Sequence, residues 1–94
     1  MISDEFVKKT YEKALEKYGF HMQQAMMIEE ASELIKAISK FWRRPYKKTF
    51  DDVREEMADV EIMLEQMKIM FEDTKEIREI KINRLFHRLN GEEE

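Results

Sequence analysis

From Phe6 through Tyr11, Ala14, Leu15 and Tyr18, apolar residues recur at helical spacing, and the run is bracketed by a start and a stop. Ser3 offers a side-chain oxygen to free amides, Asp4 and Glu5 suit the positive end of a helix, and Gly19 supplies a C-cap. A second helix is predicted from about Phe20 to Trp42 on Met22, Met26, Leu34, Ile38 and Phe41, and Arg43-Arg44-Pro45 breaks it. The segment Arg43 to Phe50 reads as a basic loop. A third helix is predicted to start at Asp51-Asp52, where Asp52 and Glu55 have capping-box-like spacing, and it carries Val53, Val60, Met63, Met67 and Met70. Asp73 with Glu76 repeats that signal, and a fourth helix takes Ile77, Ile80, Leu85 and Leu89 towards Asn90-Gly91. The tail Glu92-Glu93-Glu94 is expected to fray. Four helices with short connections predict an all-α, antiparallel four-helix bundle, and the absence of repeats makes residues 1–94 one domain.

Certain acids stand where the apolar stripes require something else. Met26, Glu30, Glu33, Ala37 and Phe41 follow one another at steps of four and three, so Glu30 and Glu33 point towards the core side. Val53, Glu56, Val60, Met63, Met67 and Met70 form a second stripe, with Asp59 one turn from Glu56. Two such acid pairs, on antiparallel neighbours, face each other across the hairpin. Carboxylates that close cannot all stay ionised unless protonation or a cation compensates them, and a cation is the favoured answer.

Composition narrows which cation. There is no cysteine, which removes disulfides and thiolate ligands. His21 and His87 form neither a His-x-x-x-His nor a Glu-x-x-His pair, which argues against zinc hydrolases and di-iron bundles. Oxygen ligands alone favour Mg²⁺ or Mn²⁺, and such ions bridge phosphates. Charged residues make up 40% of the chain but sum to only −4, so the signs are interleaved and no nucleic-acid-binding face is indicated. No apolar run reaches membrane length, and the N-terminus lacks a signal-peptide pattern, so a cytoplasmic protein is expected. A 94-residue chain buries only roughly 60–65% of its unfolded surface, which calls for help from a partner subunit. The eight methionines read as adaptable packing.

Glu29-Glu30-Ala31-Ser32-Glu33 followed by Glu56-Met57-Ala58-Asp59 resembles the Glu-Glu-x-x-Glu … Glu-x-x-Asp signature of MazG-like enzymes in the all-α NTP pyrophosphatase superfamily. The likeness extends to Gln23 and Gln24, to Leu34-Ile35-Lys36-Ala37-Ile38 and to Lys81-Ile82-Asn83-Arg84-Leu85. It implies hydrolysis of (deoxy)nucleoside triphosphates to monophosphate and pyrophosphate, with Mg²⁺ held by Glu30, Glu33, Glu56 and Asp59. It also implies a substrate seated between subunits of a homodimer or homotetramer. The first motif acid, Glu29, is the candidate to orient or activate water, and Glu33 is a catalytic candidate as well as a ligand.

Lys81 and Arg84, one turn apart, are candidates for phosphate oxygens, with Asn83 adding a neutral hydrogen bond. His21, Gln24 and Trp42 are candidates for the base. Arg43, Arg44, Lys47 and Lys48 read as a solvated basic loop with no assigned role. Within the superfamily, phosphoribosyl-ATP pyrophosphohydrolases usually carry a lysine-containing Gly-Glu-Glu stretch, whereas Met27-Ile28 precede the acids here, which favours a nucleoside triphosphate. A non-catalytic helical module, with the acids in salt bridges to Lys36, Lys40 or Arg54, is the reading from a different class.

Overall fold

The computed structural model describes residues 1–91, so the expected fraying of Glu92-Glu93-Glu94 lies outside the described residues. Four helices follow in order, α1 (Asp4–Tyr18), α2 (Phe20–Arg43), α3 (Lys47–Phe71) and α4 (Lys75–Leu89), with no strand among the described residues. The chain is all-α, of the helical-bundle class predicted.

Local chemistry accounts for the first two helices. Ser3 is extended and its Oγ accepts a hydrogen bond from the Phe6 amide at 3.1 Å, satisfying one donor that the first turn leaves free. Gly19 closes α1 through its own N–H to the Leu15 carbonyl at 2.9 Å and at once receives the Gln23 amide at 3.2 Å. One residue therefore serves both helices, at φ 85°, a backbone conformation that glycine adopts without steric cost. At the other end of α2, the Arg44 amide reaches the Lys40 carbonyl and Pro45 prevents continuation.

The start of α3 corrects the sequence reading. Helix begins at Lys47, four residues before the predicted Asp51, and Lys47 to Phe50 are not loop. Tyr46 is extended, its amide donates to Thr49 Oγ1 at 3.0 Å, and its carbonyl receives the Phe50 amide at 3.0 Å. Pro45 disfavours helix at the residue before it and nothing after Tyr46 interrupts the backbone, so the break is confined to the turn. Asp51 and Asp52 do not cap. They lie one turn into the helix, paired with Lys47 at 2.8 Å and Lys48 at 3.1 Å, and Glu55 is exposed. Helix α4 begins after Thr74, and Asp73 Oδ2 receives the Lys75 amide at 3.3 Å.

Packing concentrates on the α2–α3 hairpin, with α1 laid against α2. Leu15 and Met63 are the buried apolar residues among those described, joined by three buried polar ones, Gln23, Thr49 and Gln66. Met26, Leu34, Ile38 and Phe41 on α2, and Val53, Val60, Met67 and Met70 on α3, are half-buried along the predicted stripes. Met22, expected on the α2 stripe, is exposed, because the stripe enters the hairpin at Gln23 instead. Phe41 and Phe50 meet edge-on across the turn, ring centroids 6.2 Å apart. Helix α4 contributes no buried residue, and Ile77, Ile80, Leu85 and Leu89 all face solvent. The radius of gyration, 16.7 Å, exceeds the roughly 12 Å of a compact domain of this length.

Candidate metal centre

The hairpin brings the acids together through its register. Gln23 Nε2 donates to Gln66 Oε1 at 2.8 Å, both side chains being almost fully buried. Two turns further along α2, and two turns back along α3, the paired positions are Glu30 and Asp59. Glu56 stands one turn beyond Asp59 on the same face. One carboxylate oxygen from each of Glu30, Glu56 and Asp59 lies within 4.8 Å of the other two. Glu30 and Glu56 are half-buried while Asp59 is exposed, so the cluster opens to solvent on the Asp59 side.

This convergence perturbs titration. The Glu30 carboxyl is raised above its ordinary value, first by partial desolvation, then by the charges of Asp59 and Glu56 and a hydrogen bond with Asp59. Glu56 is raised likewise, first by desolvation and then by Asp59, Glu33, Glu55 and Asp52. A divalent cation would relieve that repulsion without protonation, and three oxygen donors with an open side suit a hard ion such as Mg²⁺ or Mn²⁺.

Glu33 stands differently from the other three. It bears electrostatically on Glu56, but its carboxylate is 3.6 Å from Lys36 Nζ and is not one of the three mutually close groups. It lines an adjoining pocket of about 310 Å³ with Lys36, Lys40, Thr49, Asp52 and Glu56. Asp52 is the site residue that sequence reasoning missed. Its spacing from Glu56, one helical turn, carried the signal, but the residue had been read as a cap. Glu29 is exposed and next to the cluster, adding its charge to Glu30.

The proposed substrate contacts are dispersed within one chain. Trp42 is 79% exposed at the far end of α2 from His21 and Gln24, and the eighteen residues from Gln24 to Trp42 span about 27 Å of helix. Gln24 is half-buried with Nε2 at 3.8 Å from Met70 Sδ, and His21 is exposed. Lys81, Asn83 and Arg84 are exposed on α4, none of whose residues is buried. Of the basic segment, Lys47 and Lys48 are engaged by Asp51 and Asp52 as part of α3. No described helix is long and apolar enough to cross a membrane. No protein family, curated protein or solved structure matches this chain.

Proposed function

We propose that the chain is a metal-dependent hydrolase that converts (deoxy)nucleoside triphosphates to monophosphate and pyrophosphate, in the manner of the MazG-like enzymes its motifs resemble. The single observation that carries this reading is the convergence of Glu30, Glu56 and Asp59 from two helices onto one point. These three would hold Mg²⁺, or Mn²⁺, and Glu33 would join them by leaving Lys36. The bound ion supplies charge neutralisation at phosphate and a lowered pKa for attacking water. Glu29 and Glu33 flank the cluster as acceptors for the water proton. In the net step, water oxygen bonds to the α-phosphorus, the bond to the bridging oxygen breaks, and pyrophosphate leaves.

A homodimer or homotetramer accompanies this reading. Exposed Ile77, Ile80, Leu85 and Leu89 and the extended shape are what a chain that completes its core with another copy would present. A second copy would also be a route by which Lys81, Asn83 and Arg84 reach the acids. A cytoplasmic setting, where nucleotide pools lie, goes with the activity.

Pyrophosphate release from a panel of canonical, deoxy and oxidised nucleoside triphosphates, with Mg²⁺, with Mn²⁺ and with chelator, tests the proposal. Metal-dependent monophosphate formation is the expected result. A folded protein that turns over none of the panel, and does not cleave phosphoribosyl-ATP, defeats the enzymatic reading. The Glu33–Lys36 ion pair is the observation that favours the non-catalytic alternative, a helical nucleotide-binding or interaction module. That alternative predicts no turnover whatever the metal.

A further inference from the structure

Charge pairing leaves the pocket beside the acid cluster unevenly compensated. Lys36 lies 3.6 Å from Glu33, and Asp52 lies 3.1 Å from Lys48. Of the charges lining the pocket, Glu56 belongs to the acid cluster, and Lys40 makes no ion pair among the described residues. The Thr49 hydroxyl is engaged with the Arg44 and Tyr46 backbone, so it shapes the pocket wall and does not bind. From Glu33, level with the cluster, to Lys40, near the α2–α3 turn, the helix rises about 10 Å.

We propose that this pocket takes the far end of a phosphate chain, with Lys40 as its recognition group and Lys36 as support. The inference rests on the metal-centre reading above. Glu30, Glu56 and Asp59 would hold a cation and, through it, one phosphate, and the pocket runs from Glu56 towards the turn. A single phosphate on the metal stops short of Lys40, whereas a chain of two or three phosphates spans the interval. Lys40 therefore selects for phosphate-chain length, and the nucleoside end points the opposite way along α2, towards Gln24. An ammonium is well matched to a terminal phosphate, since it meets the charge as a mobile point donor without demanding a fixed planar geometry.

The test is titration calorimetry with inorganic pyrophosphate and with inorganic phosphate, in Mg²⁺, on the wild-type chain, Lys40→Gln and the matched charge control Lys13→Gln. Lys13 lies on α1 and takes no part in the site. Lys40→Gln is expected to weaken pyrophosphate binding about tenfold or more, with phosphate binding and the Mg²⁺-induced rise in Tm unchanged, and Lys13→Gln to behave as wild type. Equal pyrophosphate affinity in wild type and Lys40→Gln, the same loss for both anions, or the same loss in Lys13→Gln overturns the role of Lys40 while leaving the metal centre standing. No pyrophosphate binding by a wild-type chain that does respond to Mg²⁺ overturns it too. Absence of any Mg²⁺ response in wild type removes the metal centre and this inference with it.

Discussion

Gln23 and Gln66 meet amide to amide inside the hairpin, Nε2 to Oε1 at 2.8 Å, two helical turns from the level at which Glu30 meets Asp59. Gln66 also directs its own Nε2 to Met63 Sδ at 3.8 Å. A directional pair in an otherwise soft, methionine-rich seam resists sliding of one helix along the other, and a slide of one turn would separate the acids. Gln66→Leu leaves the Gln23 amide buried without its partner and is expected to cost about 1–3 kcal/mol. Adding Gln23→Leu should recover much of that. Urea unfolding of both variants and wild type at one fixed protein concentration checks it, and a double mutant no better than the single one would contradict the pairing argument.

Glu30 gives a prediction whose sign depends on metal. Its carboxyl is raised in the folded chain, so folding favours its protonated form, and that contribution is present at low pH and lost as pH rises through the folded value. At neutral pH in chelator, Glu30→Gln should therefore raise Tm. In millimolar Mg²⁺ the order should reverse, because the proposed metal centre would let wild type gain from ion binding and the variant would not. Thermal unfolding in the two buffers is sufficient, and a variant less stable than wild type in both would count against the cluster.

Glu33 and Glu56 should differ in degree. Glu56 is one of the three mutually close carboxylates, while Glu33 must leave Lys36 to join them. Glu56→Gln is expected to abolish the Mg²⁺-induced Tm shift and to lower turnover by about a hundredfold or more. Glu33→Gln should retain part of the shift. Equal loss in both, measured side by side, would mean that Glu33 is a full ligand once the ion binds.

Glu72 has φ 75° and ψ 163°, nearly the backbone of Gly19 at φ 85° and ψ 159°. One connection uses the residue that tolerates this conformation and the other does not. Glu72→Gly is expected to stabilise the chain by about 1 kcal/mol, raising Tm by roughly 4–8 °C. A neutral or lower Tm would show that the Glu72 side chain offsets its backbone strain.

Tyr11 links α1 to α3 by donating its hydroxyl to Glu65. Its phenol is pushed up to about 12, first by burial and then by Glu65, so the bond persists through the neutral range and is lost as pH rises through that value. Tyr11→Phe should cost about 1 kcal/mol at pH 7 and remove the highest-pH tyrosinate transition seen by ultraviolet absorbance.

Much of this was legible where a residue has one structural use. Ser3, Gly19 and Pro45 marked their boundaries because capping, positive φ and helix breaking leave few alternatives. Asp52 had two uses, cap or paired charge, and with Lys48 one turn before it the second prevails; the same ambiguity hid its place beside Glu56. The approach of Glu30, Glu56 and Asp59 was legible because Glu30 and Glu56 interrupt the apolar stripes of neighbouring helices and Asp59 stands one turn from Glu56. Gln23 and Gln66 were not, since a neutral amide on a stripe reads equally as surface until its partner is known. Nor does a single chain's pattern say what α4 packs against: Ile77, Ile80, Leu85 and Leu89 make a proper stripe, and their own chain leaves it uncovered.

That uncovered helix would tie the order of the C-terminal segment to how much of the protein is present, were a second copy to cover it. None of the fifteen residues of α4 is fully buried by its own chain, and a solitary helix of that length is marginal in water. On the proposed oligomeric reading, its integrity is lent by neighbouring copies and withdrawn on dilution. Ellipticity per residue should then fall as the solution is diluted, with the final helix melting before the hairpin, and the protein's abundance would be written in its shape.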